Sequence, residues 1–154
     1  MKKPLKIIVI ITFAVYVMMI ISVTFLGERH ALHNVSIIEH FINRSNLIPF
    51  RTVLNYIRAI KNNIINYYIP IKNIVGNLLL FLPMSVFLAC MIKKCRSLPI
   101  NLLVIFTVLI TVEALQIVTR LGSFDIDDLI LNMLGALIGF ALWKLPFVRK
   151  RLVF

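Results

Sequence analysis

The sequence predicts an all-α, polytopic integral membrane protein, a four-transmembrane-helix bundle carrying an amphipathic helix on its outer surface. Three observations predict it. Of the 154 residues, 60% are apolar, against ~45–50% in an average soluble domain, and so short a chain has too little interior to hide them. Four apolar runs of close to helical membrane-crossing length follow one another, ~20 residues being enough for ~30 Å of hydrocarbon. The 17 Lys and Arg outnumber six acids, and most of them flank the runs.

The first run, Ile7–Leu26, is interrupted only by hydroxyls, Tyr16 among them. Its basic start at Lys2 and Lys3 is that of a signal peptide, yet the run exceeds a ~7–15-residue signal core and Ser22–Gly27 offers no small-x-small cleavage site. It therefore reads as an uncleaved helix. Residues 27–72 form the one sizeable loop. Within it Val53, Leu54, Ile57, Ile60, Ile64, Ile65 and Tyr68 recur at helical spacing, with Arg58, Lys61, Asn62 and Asn66 on other faces. That pattern predicts a basic amphipathic helix in the membrane surface, entered through a bend at Leu47–Arg51 around Pro49 and followed by interfacial Tyr67 and Tyr68. The second run, Ile74–Ile92, holds Asn77 and Pro83; the third, Leu98–Val118, holds Glu113 and Gln116; the fourth, Leu129–Leu145, holds Asn132 and Trp143. The chain thus divides into a first helix (1–26), a loop (27–72), a three-helix core (73–146) and a basic tail (147–154).

With four spans, ten basic residues share the side of both termini and seven the other, and the ten cluster beside helix ends. Positive-inside counting places both termini in the cytoplasm and the 27–72 loop outside. The same placement reads the net charge of +11 as topology and attraction to anionic lipid, with no nucleic-acid partner. Cys90 and Cys95, with no nearby His, read as free structural thiols. His30, His33 and His40, near Glu28 and Glu39, read as exposed loop histidines, and no metal site is expected.

Polar groups inside a membrane helix are expensive, so their positions are informative. Glu113, Gln116 and Arg120 stand at i, i+3 and i+7 near the end of the third helix; Asp125, Asp128 and Asn132 repeat that spacing at the start of the fourth. Asn73 and Asn77, at i and i+4, bring a third stripe to the same level. The short third connection makes the last two helices antiparallel neighbours, so these eight residues are expected to converge as a ligand-binding site in the outer third of the bilayer. Arg120 would offer its planar fork to a phosphate or carboxylate. The competing structural reading makes Asp125 and Ser123 a helix cap, Arg120 a neutralising partner of Glu113 or Asp125, Asn77 and Asn132 interhelical hydrogen-bond donors, and Gly135 with Gly139 a close-packing face.

Three blocks resemble the VanZ-like family of small bacterial membrane proteins: Asn46-Leu47-Ile48-Pro49-Phe50; Asn77 through Phe81 to Pro83; and Glu113-x-x-Gln116 followed by Arg120, Asp125-x-x-Asp128 and Asn132-x-x-Gly135. They keep the family's order over residues 46–139. Where members usually continue the second block as Pro-Phe-Gly, this chain has Pro83-Met84-Ser85. The resemblance implies a cell-envelope role on the outer face of a bacterial plasma membrane, with a link to low-level resistance to the glycopeptide teicoplanin, and it brings no settled reaction. The expected partner is a membrane lipid or lipid-linked envelope precursor, with no cofactor. A membrane-embedded hydrolase or transferase with Glu113 or Asp128 as general base is the alternative, as is a small ion-coupled transporter with Glu113 titrating. The chain lacks G-x-S-x-G and H-E-x-x-H motifs, and a non-enzymatic role is favoured.

Overall fold

The computed structural model describes residues 3–25 and 36–152. Eight α-helices follow in order: α1 (Lys3–Phe25), α2 (Ile37–Arg44), α3 (Arg51–Lys61), α4 (Tyr68–Leu80), α5 (Leu82–Met91), α6 (Leu98–Thr119), α7 (Ile126–Lys144) and α8 (Pro146–Leu152). Four stretches are long and apolar enough to cross a membrane: Pro4–Phe25, Tyr68–Met91, Leu98–Thr119 and Ile126–Lys144. The chain is a multi-pass helical membrane protein, with no strands among the described residues and a single isolated bridge between Asn46 and Asp125.

The second span is two helices, because it breaks at Phe81. Pro83 has no N–H for the carbonyl one turn back, and its ring crowds that turn. A broken helix survives in a bilayer only where neighbours satisfy the freed backbone. Tyr16 of α1 does so, its hydroxyl donating to the Leu80 carbonyl. The same tyrosine packs with Phe87 at 5.5 Å between ring centroids, and Phe13 lies 5.3 Å from Phe87. Helix α1 is thereby fixed to the bundle by one aromatic cluster and contributes Tyr16 and Ile20 to the core.

Helix α7 is the centre of the bundle, packed on α4, α5 and α6. Its glycines explain the closeness. A Cβ at Gly135 would stand 1.9 Å from the Leu78 carbonyl oxygen, and one at Gly139 2.1 Å from that of Leu82. Those contacts bracket the break, so α7 lies backbone to backbone along both halves of the second span. Within lipid, where tails are as apolar as leucine, such close packing replaces the hydrophobic drive for helix association. Phe81, Met84, Ile105, Leu109 and Ala136 fill the core around it.

At the end where α5 turns into α6, through a 3-10 turn at Lys93–Arg96, one side chain closes the corner. Asn101 is fully buried. Its amide donates to the carbonyls of Ser85 (3.1 Å) and Cys95 (3.0 Å), and its oxygen accepts from the Ser85 hydroxyl at 2.7 Å. The serine in Pro83-Met84-Ser85 is thus half of a buried polar pair. Cys90 and Cys95, beside it, are buried free thiols.

The extramembrane stretch differs from its expected outline. The amphipathic helix is present as α3 but stops at Lys61, where Asn63 takes a left-handed backbone (φ 54°), a conformation asparagine tolerates better than most residues. The second span starts at Tyr68, earlier than the apolar run. Asn66 accepts from the Tyr68 N–H to open it, and Pro70 suits a first helical turn that has no N–H to lose. The short helix α2 was not anticipated; Ser36 caps it by accepting from Glu39 N–H at 3.1 Å.

Candidate functional site

The α6–α7 connection and the start of α7 gather the site. Helix α6 ends at Arg120, whose left-handed backbone (φ 56°) turns the chain, and the Leu121 N–H returns to the Gln116 carbonyl at 3.1 Å. Asp125 then caps α7, accepting from the Asp127 N–H at 2.9 Å. Its carboxylate also accepts from the Asn46 amide (3.0 Å) and the Thr52 hydroxyl (2.7 Å). Asn46 N–H donates to the Phe124 carbonyl at 2.7 Å and Ile126 N–H to the Asn46 carbonyl at 2.9 Å, making the isolated bridge.

Helix α3 has no cap of its own, since Phe50 stands at its N-cap position. Asp127, only 3% exposed, supplies one from α7. Its two oxygens accept from the N–H groups of Phe50, Thr52 (2.8 Å) and Val53 (3.3 Å). Helix N-termini present unsatisfied N–H groups and partial positive charge, so a buried carboxylate placed there is stabilised and pins the helix. His40 on α2, expected to be exposed, is buried instead, with Nε2 2.7 Å from the Gly122 carbonyl. Donation of its Nε2–H to that carbonyl gives the imidazole a reason to be buried. His30, His33 and Glu28 lie outside the described residues.

Below this lashing is a cavity of about 80 Å³, lined by Val23, Thr24, Asn77, Leu80, Phe81, Leu109, Val112, Glu113, Gln116, Asp128 and Asn132. Four spans contribute to it. Asn77 donates its amide N–H to Asp128 Oδ1, Gln116 donates to the Thr24 carbonyl at 3.2 Å, and Asn132 donates to the Asp128 carbonyl at 2.8 Å. Glu113, Gln116 and Asn132 are 5–8% exposed. Tyr56 of α3 feels the same carboxylates: partial burial, then Asp128 and Asp125, hold its phenol above the ordinary range.

Five of the eight predicted site residues therefore meet in one cavity: Asn77, Glu113, Gln116, Asp128 and Asn132. Three do not line it. Asp125 is the cap and loop anchor already described, Arg120 is half-buried at the turn above, and Asn73 is half-buried one turn from Asn77. Sequence reasoning missed Asp127 and Thr52 as anchors and Thr24 as part of the wall. The Asn46–Phe50 block was the available signal for the first two, since its backbone and amide meet Asp125 and Asp127.

A four-span helical bundle with a carboxylate- and amide-lined cavity, and a loop strapped to the α6–α7 turn, defines a small membrane protein with a polar site between its spans. The chain belongs to the VanZ/LLP1 family, whose model matches residues 13–149. No curated protein and no solved structure matches it.

Proposed function

We propose that the protein works in the bacterial plasma membrane as an envelope factor, with both termini cytoplasmic and the cavity opening toward the outer leaflet. There it engages a lipid or lipid-linked envelope precursor and so alters sensitivity to glycopeptides such as teicoplanin. Membership of the VanZ/LLP1 family supports the envelope role. One observation carries the ligand reading: five polar side chains from three spans turn into a single cavity at membrane depth, where stranded polar groups cost enough that function is the default explanation. The orientation rests on the asymmetry of basic residues.

The test is expression in a teicoplanin-sensitive bacterium, with lipid analysis of the purified protein alongside. Glu113→Gln and Asp128→Asn keep side-chain volume and remove charge. Each should abolish the shift in teicoplanin sensitivity and deplete the co-purifying lipid while membrane expression stays at the wild-type level. Unchanged sensitivity and unchanged lipid content in both variants would refute the reading.

A further inference from the structure

We infer that α3 carries a second site, separate from the cavity. It binds the phosphate of an anionic phospholipid at Arg51 and Arg58, with the lipid's chains against Leu54 and Ile57. The inference does not rest on the cavity being a ligand site.

The residues of α3 divide it into three faces. At ~100° per residue, Thr52, Val53, Tyr56 and Ala59 share one side, and all four are half-buried. Leu54, Ile57 and Ile60 form the second and remain 48%, 45% and 38% exposed. Arg51, Asn55 and Arg58 stand at i, i+4 and i+7 on the third, all of them exposed. The helix holds Arg51, Arg58 and Lys61 and no acid, so it makes no i, i+4 ion pair of its own.

Position decides what covers the two outer faces. The first turn of α3 is bonded to Asp127, itself in the first turn of α7, and only residues 62–67 separate its last turn from the span that opens at Tyr68. Both ends of α3 are thus tied to span ends, at the level where hydrocarbon gives way to headgroups. Its 11 residues reach ~16 Å as a helix, too short for ~30 Å of hydrocarbon, so α3 lies along the surface. There the apolar face meets acyl chains and the adjoining cations meet phosphates, the division an interfacial helix requires.

Arginine suits that task, because its planar fork takes two phosphate oxygens at once. The N–H groups of Thr52 and Val53 are committed to Asp127, so the anion is met by side chains. A free phosphate would use the cations and leave Leu54 and Ile57 in water. A second copy pairing face to face would set the same cations against one another. A phospholipid satisfies both faces together.

The experiment uses the full chain carrying Ile60→Cys, labelled with bimane and reconstituted in phosphatidylcholine vesicles. Cys90 and Cys95 are buried and stay unlabelled. Chain-brominated phosphatidylglycerol or chain-brominated phosphatidylcholine then replaces the lipid stepwise, and quenching reports which lipid sits beside α3. Brominated phosphatidylglycerol should reach half-quenching at a mole fraction at least about fivefold lower, the scale of one cation beside an anionic surface. Arg51→Gln/Arg58→Gln should remove that preference. Lys93→Gln/Lys94→Gln, which deletes two charges at the α5–α6 turn, should keep it. In the unaltered arginine background, ~1 M salt, where charges act only within about 3 Å, should also remove it. Equal quenching by the two lipids overturns the inference, as does a preference that survives Arg51→Gln/Arg58→Gln or high salt, or one lost in Lys93→Gln/Lys94→Gln. Loss of the preference in inorganic phosphate at matched ionic strength assigns the cations to a soluble phosphate, and a label that neither lipid quenches means that protein covers the apolar face; each overturns the lipid site.

Discussion

Gly135 and Gly139 give the sharpest quantitative test of the fold. Replacing Gly135 with alanine puts a methyl 1.9 Å from the Leu78 oxygen, about 1.5 Å short of the 3.4 Å at which ordinary contact begins; at Gly139 the approach to the Leu82 oxygen is 2.1 Å. The obstructing atoms are backbone, so no rotamer change relieves the clash and α7 must move off α4 and α5. Overpacking of this kind costs about 1–3 kcal/mol where a side chain can yield, and more where it cannot. We expect each alanine variant to lose at least ~2 kcal/mol, and the pair to fail to form the wild-type bundle. Gly76 is the internal control, with nothing within 4 Å of its Cβ position. Gly76→Ala should be neutral or stabilising by up to ~1 kcal/mol through helix propensity. The assay is thermal unfolding in detergent followed by a thiol-reactive dye, since Cys90 and Cys95 are 1% and 2% exposed and react only on unfolding. Wild-type stability of Gly135→Ala would refute the backbone-to-backbone contact and, with it, the central placement of α7.

Two further outcomes are expected. Asp127→Ala removes the charged acceptor of three N–H groups, a loss on the order of 3 kcal/mol; hydrogen exchange at Phe50, Thr52 and Val53 should accelerate about 100-fold while amides around Gly135 keep their protection. For the proposed orientation, a cysteine at Asn62 should react with an impermeant maleimide in intact cells and one at Ser97 should not, against a low background from the two buried native thiols; the reverse pattern would invert the topology.

The spans were legible because each is a long apolar run, and lipid makes that pattern nearly unambiguous. Their ends were less so. Tyr68 opens α4 even though Lys72 and Asn73 interrupt its hydropathy, because polar side chains at a membrane boundary reach water without leaving the helix. The break at Phe81 was implicit in Pro83, but its partner Tyr16 lies 64 residues away and no local pattern announces it. Gly135 and Gly139 were readable as small-xxx-small spacing, and the carbonyls they face belong to another helix. Five site residues were found by helical periodicity alone. The loop was the least legible, because Asn46, Thr52 and His40 act by reaching the α6–α7 turn, a tertiary contact with no sequence spacing of its own.

Asp125, Asp127 and Asp128 show what decides a role when composition cannot. They are the same residue type within one helical turn, and each has a different occupation. Asp125 precedes the helix with extended backbone (φ −125°, ψ 116°), so its carboxylate folds back to cap α7 and catches Asn46 and Thr52. Asp127 is inside the helix and faces the bare N-terminus of α3. Asp128 is one residue, or ~100°, further round, which turns it from α3 toward Asn77 and the cavity. The i, i+3, i+7 spacing of Asp125, Asp128 and Asn132 selected Asp125 and Asp128 alike, but i and i+3 share a helical face only if both residues are helical. The cap is not, and that single backbone difference separates the residue that ties down the loop from the one that lines the site.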